Sequence, residues 1–170
     1  LGKGSVFCVE LECEAALQEE TDSLPDEKTG PDEYTKDKIF AGRHFLIAED
    51  NDINAEILCE LLSIYGADAV VKKDGMETVQ EFGSAAPNTY DAILMDIQMP
   101  EMNGYEATRA IRRMDRPDAE TIPIVAMTAN AFAEDVQAAQ EAGMTAHVAK
   151  PIDLDVLKTT LGRVLESGRY

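Results

Sequence analysis

The sequence predicts an α/β fold, a five-stranded parallel sheet covered by five helices. Three observations lead there. Beyond residue 42, short apolar runs alternate in regular succession with stretches whose apolar residues recur at helical spacing. The runs are continuously apolar rather than alternating, as expected of strands buried on both faces. Polar residues able to do chemistry stand directly after the runs and not within them.

Taken in order, the first strand is His44 to Ala48. A helix follows, with Ile57, Leu58, Leu61, Leu62 and Tyr65 on one stripe. Ala69 to Val71 is the second strand, and Met76 to Phe82 is compatible with a second helix. Ala92 to Met95 is the third strand, and Ala107, Ala110, Ile111 and Met114 mark the third helix. Ile122 to Met127 is the fourth strand, with a helix-compatible segment from Ala133 to Ala142 behind it. His147 to Ala149 is the fifth strand, and Leu154, Leu157, Leu161, Val164 and Leu165 form the last helical stripe. Right-handed crossovers leave few ways to connect five parallel strands, and the commonest is the flavodoxin-like order 2-1-3-4-5. One domain over residues 43–168 accounts for all of this.

The preceding residues differ in character. Residues 13–42 are acidic and interrupted by Pro25, Gly30 and Pro31, which reads as a linker. Gly4 to Leu11 looks like one strand, which has no core of its own. The chain begins at Leu1 and not at Met, as a piece of a longer protein would.

With 33 acidic against 15 basic residues the formal charge is -18, which argues against a nucleic-acid interface and against docking on an anionic membrane. The three cysteines, Cys8, Cys13 and Cys59, form no C-x-x-C pair and have no histidine nearby to complete a zinc site. An odd count of this kind points to reduced thiols and a cytoplasmic setting. No stretch is apolar for long enough to span a bilayer.

In a doubly wound sheet, ligands bind beyond the carboxyl ends of the strands. There the first strand ends in Glu49 and Asp50, the third in Asp96 and the fourth in Thr128, while the fifth runs into Lys150 and Pro151. One such residue alone would cap a helix or end a strand. Three carboxylates, a hydroxyl and an ammonium converging on one crevice form a site. Crowded carboxylates repel, a hard divalent cation relieves them, and oxygen ligands with open water positions suit Mg2+ (or Mn2+). A nucleophilic aspartate beside a cation and a lysine is the apparatus for phosphoryl transfer.

Several motifs carry a resemblance. Leu46-Ile47-Ala48-Glu49-Asp50-Asn51, Leu94 to Pro100 with Met102-Asn103-Gly104, Met127-Thr128-Ala129 and Ala149-Lys150-Pro151-Ile152 occur in the order found in response-regulator receiver domains of two-component signalling. Glu106 to Arg112 and Ala126 to Ala131 resemble receivers attached to hybrid sensor histidine kinases. The resemblance implies Asp96 as phosphoacceptor, Asp50 as a direct magnesium ligand and Glu49 as a ligand through water. It implies the backbone carbonyl of Gln98 as a further ligand. Lys150 and Thr128 would contact the phosphoryl oxygens, and the Lys150–Pro151 bond would be cis. His147 stands where many receivers carry an aromatic switch residue. Ala129 and Asn130, with Gln98, would border the opening to water.

The resemblance also implies partners, a kinase phosphohistidine domain or a histidine phosphotransfer protein, and a role in relay or in control of an attached kinase. No DNA-binding output domain follows the last helix in this chain. Residues 1–12 are similar to the closing segment of a histidine kinase ATP-binding domain. The histidine-bearing helix and the rest of the nucleotide site are not in the sequence, so this piece is not expected to use ATP. The parent chain would be a protein-histidine kinase, a type of protein that a membrane anchor can hold.

Three other readings fit less well. A haloacid-dehalogenase-type phosphatase also uses a nucleophilic aspartate and magnesium, but it needs an acid where Gln98 stands. A flavin binder needs a phosphate loop where Glu49-Asp50-Asn51-Asp52 is acidic. A phosphorylation-independent pseudo-receiver would usually lack one of the five site residues, and all five are present.

Overall fold

A computed structural model of the chain describes residues 38–129 and 133–167. Within them the elements alternate as β1 (His44–Ala48), α1 (Asp52–Ile64), β2 (Asp68–Lys72), α2 (Gly75–Ser84), β3 (Ala92–Asp96), α3 (Gly104–Arg112), β4 (Ile124–Thr128), α4 (Ala133–Ala142), β5 (Ala146–Ala149) and α5 (Leu154–Ser167). The five strands are parallel in the order β2-β1-β3-β4-β5, as the sequence predicts. No helix among the described residues is long and apolar enough to cross a membrane.

Hydrophobicity decides which strands are central. β3 and β4 are buried throughout and β1 nearly so, whereas the edge strands β2 and β5 are partly open. Alternate residues of the central strands feed two cores, one on each face. Leu46, Ile93, Met95, Ile124 and Ala126 pack with Phe82, Ala107 and Ile111 of α2 and α3. Phe45, Ile47, Leu94, Val125 and Met127 pack with Leu58, Leu62, Leu157 and Leu161 of α1 and α5.

The helices begin at side-chain caps. Asn51 accepts hydrogen bonds from the N–H groups of Ile53 and Asn54, and Asp74 accepts one from Glu77. Asn103 and Glu106 form a reciprocal capping box at α3. Asp153 accepts from the N–H groups of Asp155 and Val156 where α5 starts.

Two details depart from the expected elements. Phe40 is buried, its ring edge-on to Phe45 and Tyr65, and its N–H donates to the Tyr65 carbonyl. The packed body therefore includes Phe40 to Gly42, which composition had assigned to the linker. An apolar residue inside a polar stretch found a partner that local sequence does not show. Also, β4 starts at Ile124; Ile122 is buried ahead of it, separated by Pro123. The expected remnant at residues 1–12 and the linker up to residue 37 lie outside the described residues.

Candidate functional site

The register brings the predicted residues to one end of the sheet. Ala48 lies beside Met95, Asp96 beside Met127, and Thr128 beside Ala149. Glu49 and Asp50 thus follow β1 at the level where Asp96 ends β3, Thr128 ends β4 and Lys150 follows β5. The Lys150 N–H donates to the Thr128 carbonyl, extending the ladder by one residue. The Lys150–Pro151 peptide is cis, as expected.

Ligand oxygens of Glu49, Asp50 and Asp96 all lie within 4.8 Å of one another. Glu49 and Asp96 are buried, 1% and 5% exposed, while Asp50 is open to solvent. The Lys150 Nζ reaches between the two buried acids, 2.6 Å from Glu49 Oε2 and 2.6 Å from Asp96 Oδ2. Asp96 Oδ1 accepts the N–H of Gln98 at 3.0 Å. Thr128 is buried at the end of β4.

Burial pushes the Asp96 carboxyl above the usual carboxylate range. The Lys150 ammonium and the Gln98 N–H offset this only in part, and the neighbouring Glu49 adds to it. Burial by itself would lower the Lys150 ammonium, but hydrogen bonds to Asp96 and Glu49 outweigh it and hold the group above its ordinary value. One ammonium pairs with two of the three carboxylates. The donor set is entirely oxygen, and the exposed Asp50 leaves room for water, so the residues fit a hard divalent cation of the magnesium type.

The remaining predicted residues sit at the margin. The Gln98 side chain and Ala129 are exposed, and Asn130 lies outside the described residues. His147 is exposed on the edge strand β5. One contributor, Asn54, is not singled out by the sequence, and a second, Gly104, enters there only as part of a motif, without a role. Asn54, in the first turn of α1, donates its side-chain amide to Glu49 Oε1 at 2.9 Å. Gly104 lies against the backbone of Asp96 and Ile97. The only sequence signal for Asn54 is its nearness to the Leu46 to Asn51 motif, whereas Gly104 stands inside a motif that does not by itself show the contact. A cavity of about 680 Å3 between Ile39–Arg43 and α5 contains none of the site residues.

A parallel five-stranded sheet whose strand ends gather acids around a lysine defines a class of regulatory α/β domains. The chain belongs to the response regulator receiver domain family, whose model matches residues 45–162. It is 38% identical over 126 residues to the peroxide stress-activated histidine kinase mak1 of Schizosaccharomyces pombe. It is 36% identical over 124 residues to the sensor histidine kinase RcsC of Salmonella typhimurium. These alignments cover 74% and 73% of this chain but 8% and 12% of the two kinases. The chain therefore spans a small part of the length of those relatives.

Among solved structures, the receiver domain of a Pseudomonas aeruginosa sensor histidine kinase aligns with a TM-score of 0.67 at 35% identity, covering 74% of this chain and 99% of that one. That structure has a magnesium ion coordinated in its active-site cleft. The receiver domain of the Saccharomyces cerevisiae response regulator Ssk1 aligns with a TM-score of 0.63 at 28% identity, over 72% of this chain and 88% of that one. It was crystallised with the histidine phosphotransfer protein Ypd1.

Proposed function

We propose that this domain accepts a phosphoryl group from a phosphohistidine onto Asp96 and passes it on, or regulates an attached histidine kinase. The observation that carries the reading is the Lys150 ammonium held 2.6 Å from both Glu49 and Asp96 in a pocket of three acids. An Asp96 carboxylate oxygen attacks phosphorus, the phosphorus–nitrogen bond breaks, and the imidazole leaves and takes up a proton. Lys150 shifts from the carboxylates to the phosphoryl oxygens, and the Thr128 hydroxyl donates to one of them. Asp50, Glu49, Asp96 and the Gln98 carbonyl would hold the cation. A bound magnesium ion supplies charge neutralisation for the acids and the incoming phosphoryl group.

The direct test is incubation with acetyl phosphate and magnesium, read by intact mass. One added phosphoryl group is expected with magnesium and none with chelator. Incorporation indifferent to chelator would overturn the cation assignment.

The partner's approach is constrained by what flanks Asp96. Ile53 and Ile57 are exposed on α1, and a cavity of about 220 Å3 opens between Ile57, Leu58 and Lys150-Pro151-Ile152. Asp52, Glu56 and Glu60, also exposed on α1, rim the apolar stripe with negative charge. A helical bundle bearing a phosphohistidine, with an apolar seam and basic flanks, fits this surface. The yeast complex with a phosphotransfer protein supports a partner of that kind. Ile53→Asp is expected to slow transfer from a cognate phosphohistidine by about tenfold, or about 1.4 kcal/mol. Labelling by acetyl phosphate should be unchanged, and equal loss in both assays would instead show damage to the fold.

The parent is read as a hybrid sensor histidine kinase. In that reading residues 1–12 close its ATP-binding domain, the acidic stretch tethers it, and the receiver works in the cytoplasm.

A further inference from the structure

We propose that Asn54 is a positioning residue for the acidic pocket, holding Glu49 in the orientation that admits a divalent cation. The inference rests on reading Glu49, Asp50 and Asp96 as a cation site.

The Glu49 carboxylate is almost fully buried and is gripped from two sides. Its Oε1 accepts the Asn54 Nδ2 at 2.9 Å, and its Oε2 accepts the Lys150 Nζ at 2.6 Å. An ionised carboxylate only accepts hydrogen bonds, so the Asn54 amide must present its NH2 group to it. The direction of that amide is set by the helix. Asn51 Oδ1 accepts the Asn54 N–H at 3.1 Å, which fixes the first turn of α1 and with it the Asn54 Cα.

The two grips differ in kind. Lys150 is a charge that the pocket shares between Glu49 and Asp96, so it leaves Glu49 when it turns to another anion. The Asn54 bond does not compete for that charge. When Lys150 moves, Asn54 keeps the carboxylate in place beside Asp50 and Asp96. A neutral donor suits this task. A lysine or arginine at position 54 would hold Glu49 equally well but would repel a divalent ion beside it. A site whose ligands are already oriented spends none of its binding energy on turning them. Without Asn54, Glu49 Oε1 is a buried acceptor lacking its donor, and the carboxylate is free to rotate away from the cation position.

Binding of Mn2+ alone, counted by the paramagnetic resonance signal of the free ion, tests this without any phosphodonor. Asn54→Leu keeps the side-chain size and removes the donor. It is expected to raise the Mn2+ dissociation constant about tenfold. In a Glu49→Gln background the same change should move the constant less than about twofold, because the group Asn54 positions is no longer a carboxylate. Should Asn54→Leu fail to fold by thermal melting, Asn54→Ala carries the same expectation. An unchanged constant in the single variant overturns the proposal. So does an equal loss in the Glu49→Gln background, which would mean that Asn54 acts on the fold at large. Wild-type protein that binds no Mn2+ overturns both this inference and the cation reading beneath it. Wild-type protein that binds Mn2+ but takes no phosphoryl group from acetyl phosphate overturns the phosphoacceptor reading alone; the Asn54 comparison then decides this proposal by itself.

Discussion

Asp96→Asn is expected to abolish phosphoryl incorporation from acetyl phosphate and, at the same time, to raise the thermal midpoint of the cation-free protein. The first effect follows from chemistry, since an amide oxygen is too weak a nucleophile to form the acyl phosphate. The second follows from where Asp96 sits. Its carboxyl is raised above the ordinary value because burial disfavours the charge more than Lys150 and the Gln98 N–H compensate. A carboxyl raised on folding contributes stability that is fully present below its unfolded value, about pH 4. That contribution is lost as the pH rises through the folded value. At neutral pH the ionised Asp96 therefore works against the fold, and its neutral isostere does not.

Thermal melts in chelator from about pH 4 to about pH 8 should show the wild type falling further than Asp96→Asn as pH increases. Magnesium should then stabilise the wild type more than the variant, because it binds a site the variant has weakened. Labelling that persists in Asp96→Asn would remove Asp96 as the acceptor. A variant less stable than wild type at neutral pH would show that Lys150 repays the burial of Asp96 in full.

Gly104→Ala is expected to destabilise the domain by about 3 kcal/mol. Gly104 opens α3, and its N–H donates to the Ile97 carbonyl at 3.0 Å. A Cβ built on it falls 3.0 Å from the carbonyl carbon of Asp96 and 3.0 Å from the Ile97 Cα, and closer still to the Asp96 carbonyl oxygen. All three atoms are backbone at the end of β3, so nothing can turn aside without moving Asp96, the proposed phosphoacceptor. Urea denaturation should report the loss, and acetyl phosphate labelling of the folded fraction should slow.

Gly162→Ala provides the contrast. A Cβ there meets nothing within 4 Å, and the residue lies inside α5. Alanine should therefore stabilise by about 1 kcal/mol through helix propensity alone. If both substitutions fell within about 0.5 kcal/mol of wild type, the close approach of α3 to β3 would not be as tight as described.

Part of the architecture could be read directly from the chain and part could not. Ala92 to Met95 reads as a buried strand because its residues are apolar without interruption, and β3 is buried throughout. Arg112 reads as an ordinary charged residue near the end of a helix. In the fold its half-buried guanidinium donates to the carbonyls of Gly143, Ala119 and Ile122, tying the end of α3 to two loops. Arg116 likewise pairs with Asp118, lies 4.1 Å over the Phe82 ring and donates to the Phe82 carbonyl. Nothing in the local pattern separates these arginines from Arg109, which is exposed. Carbonyls that need a donor appear only when loops distant in sequence meet.

The sequence by itself determined the succession of strands and helices, because hydrophobic period is a local property. It also determined which residues gather at the site, because strand ends in a parallel sheet all point one way and the motifs mark those ends. Only the tertiary structure decided how the acids are held. Glu49 and Lys150 stand 101 positions apart, and their pairing depends on the register of β1, β3, β4 and β5 together. The Asn54 grip on Glu49, the contact of Gly104 with the Asp96 backbone and the burial of Phe40 against Tyr65 belong to the same class. Each is a distance between atoms whose separation is set by packing, and packing is fixed by the whole core rather than by any neighbouring residues in the chain.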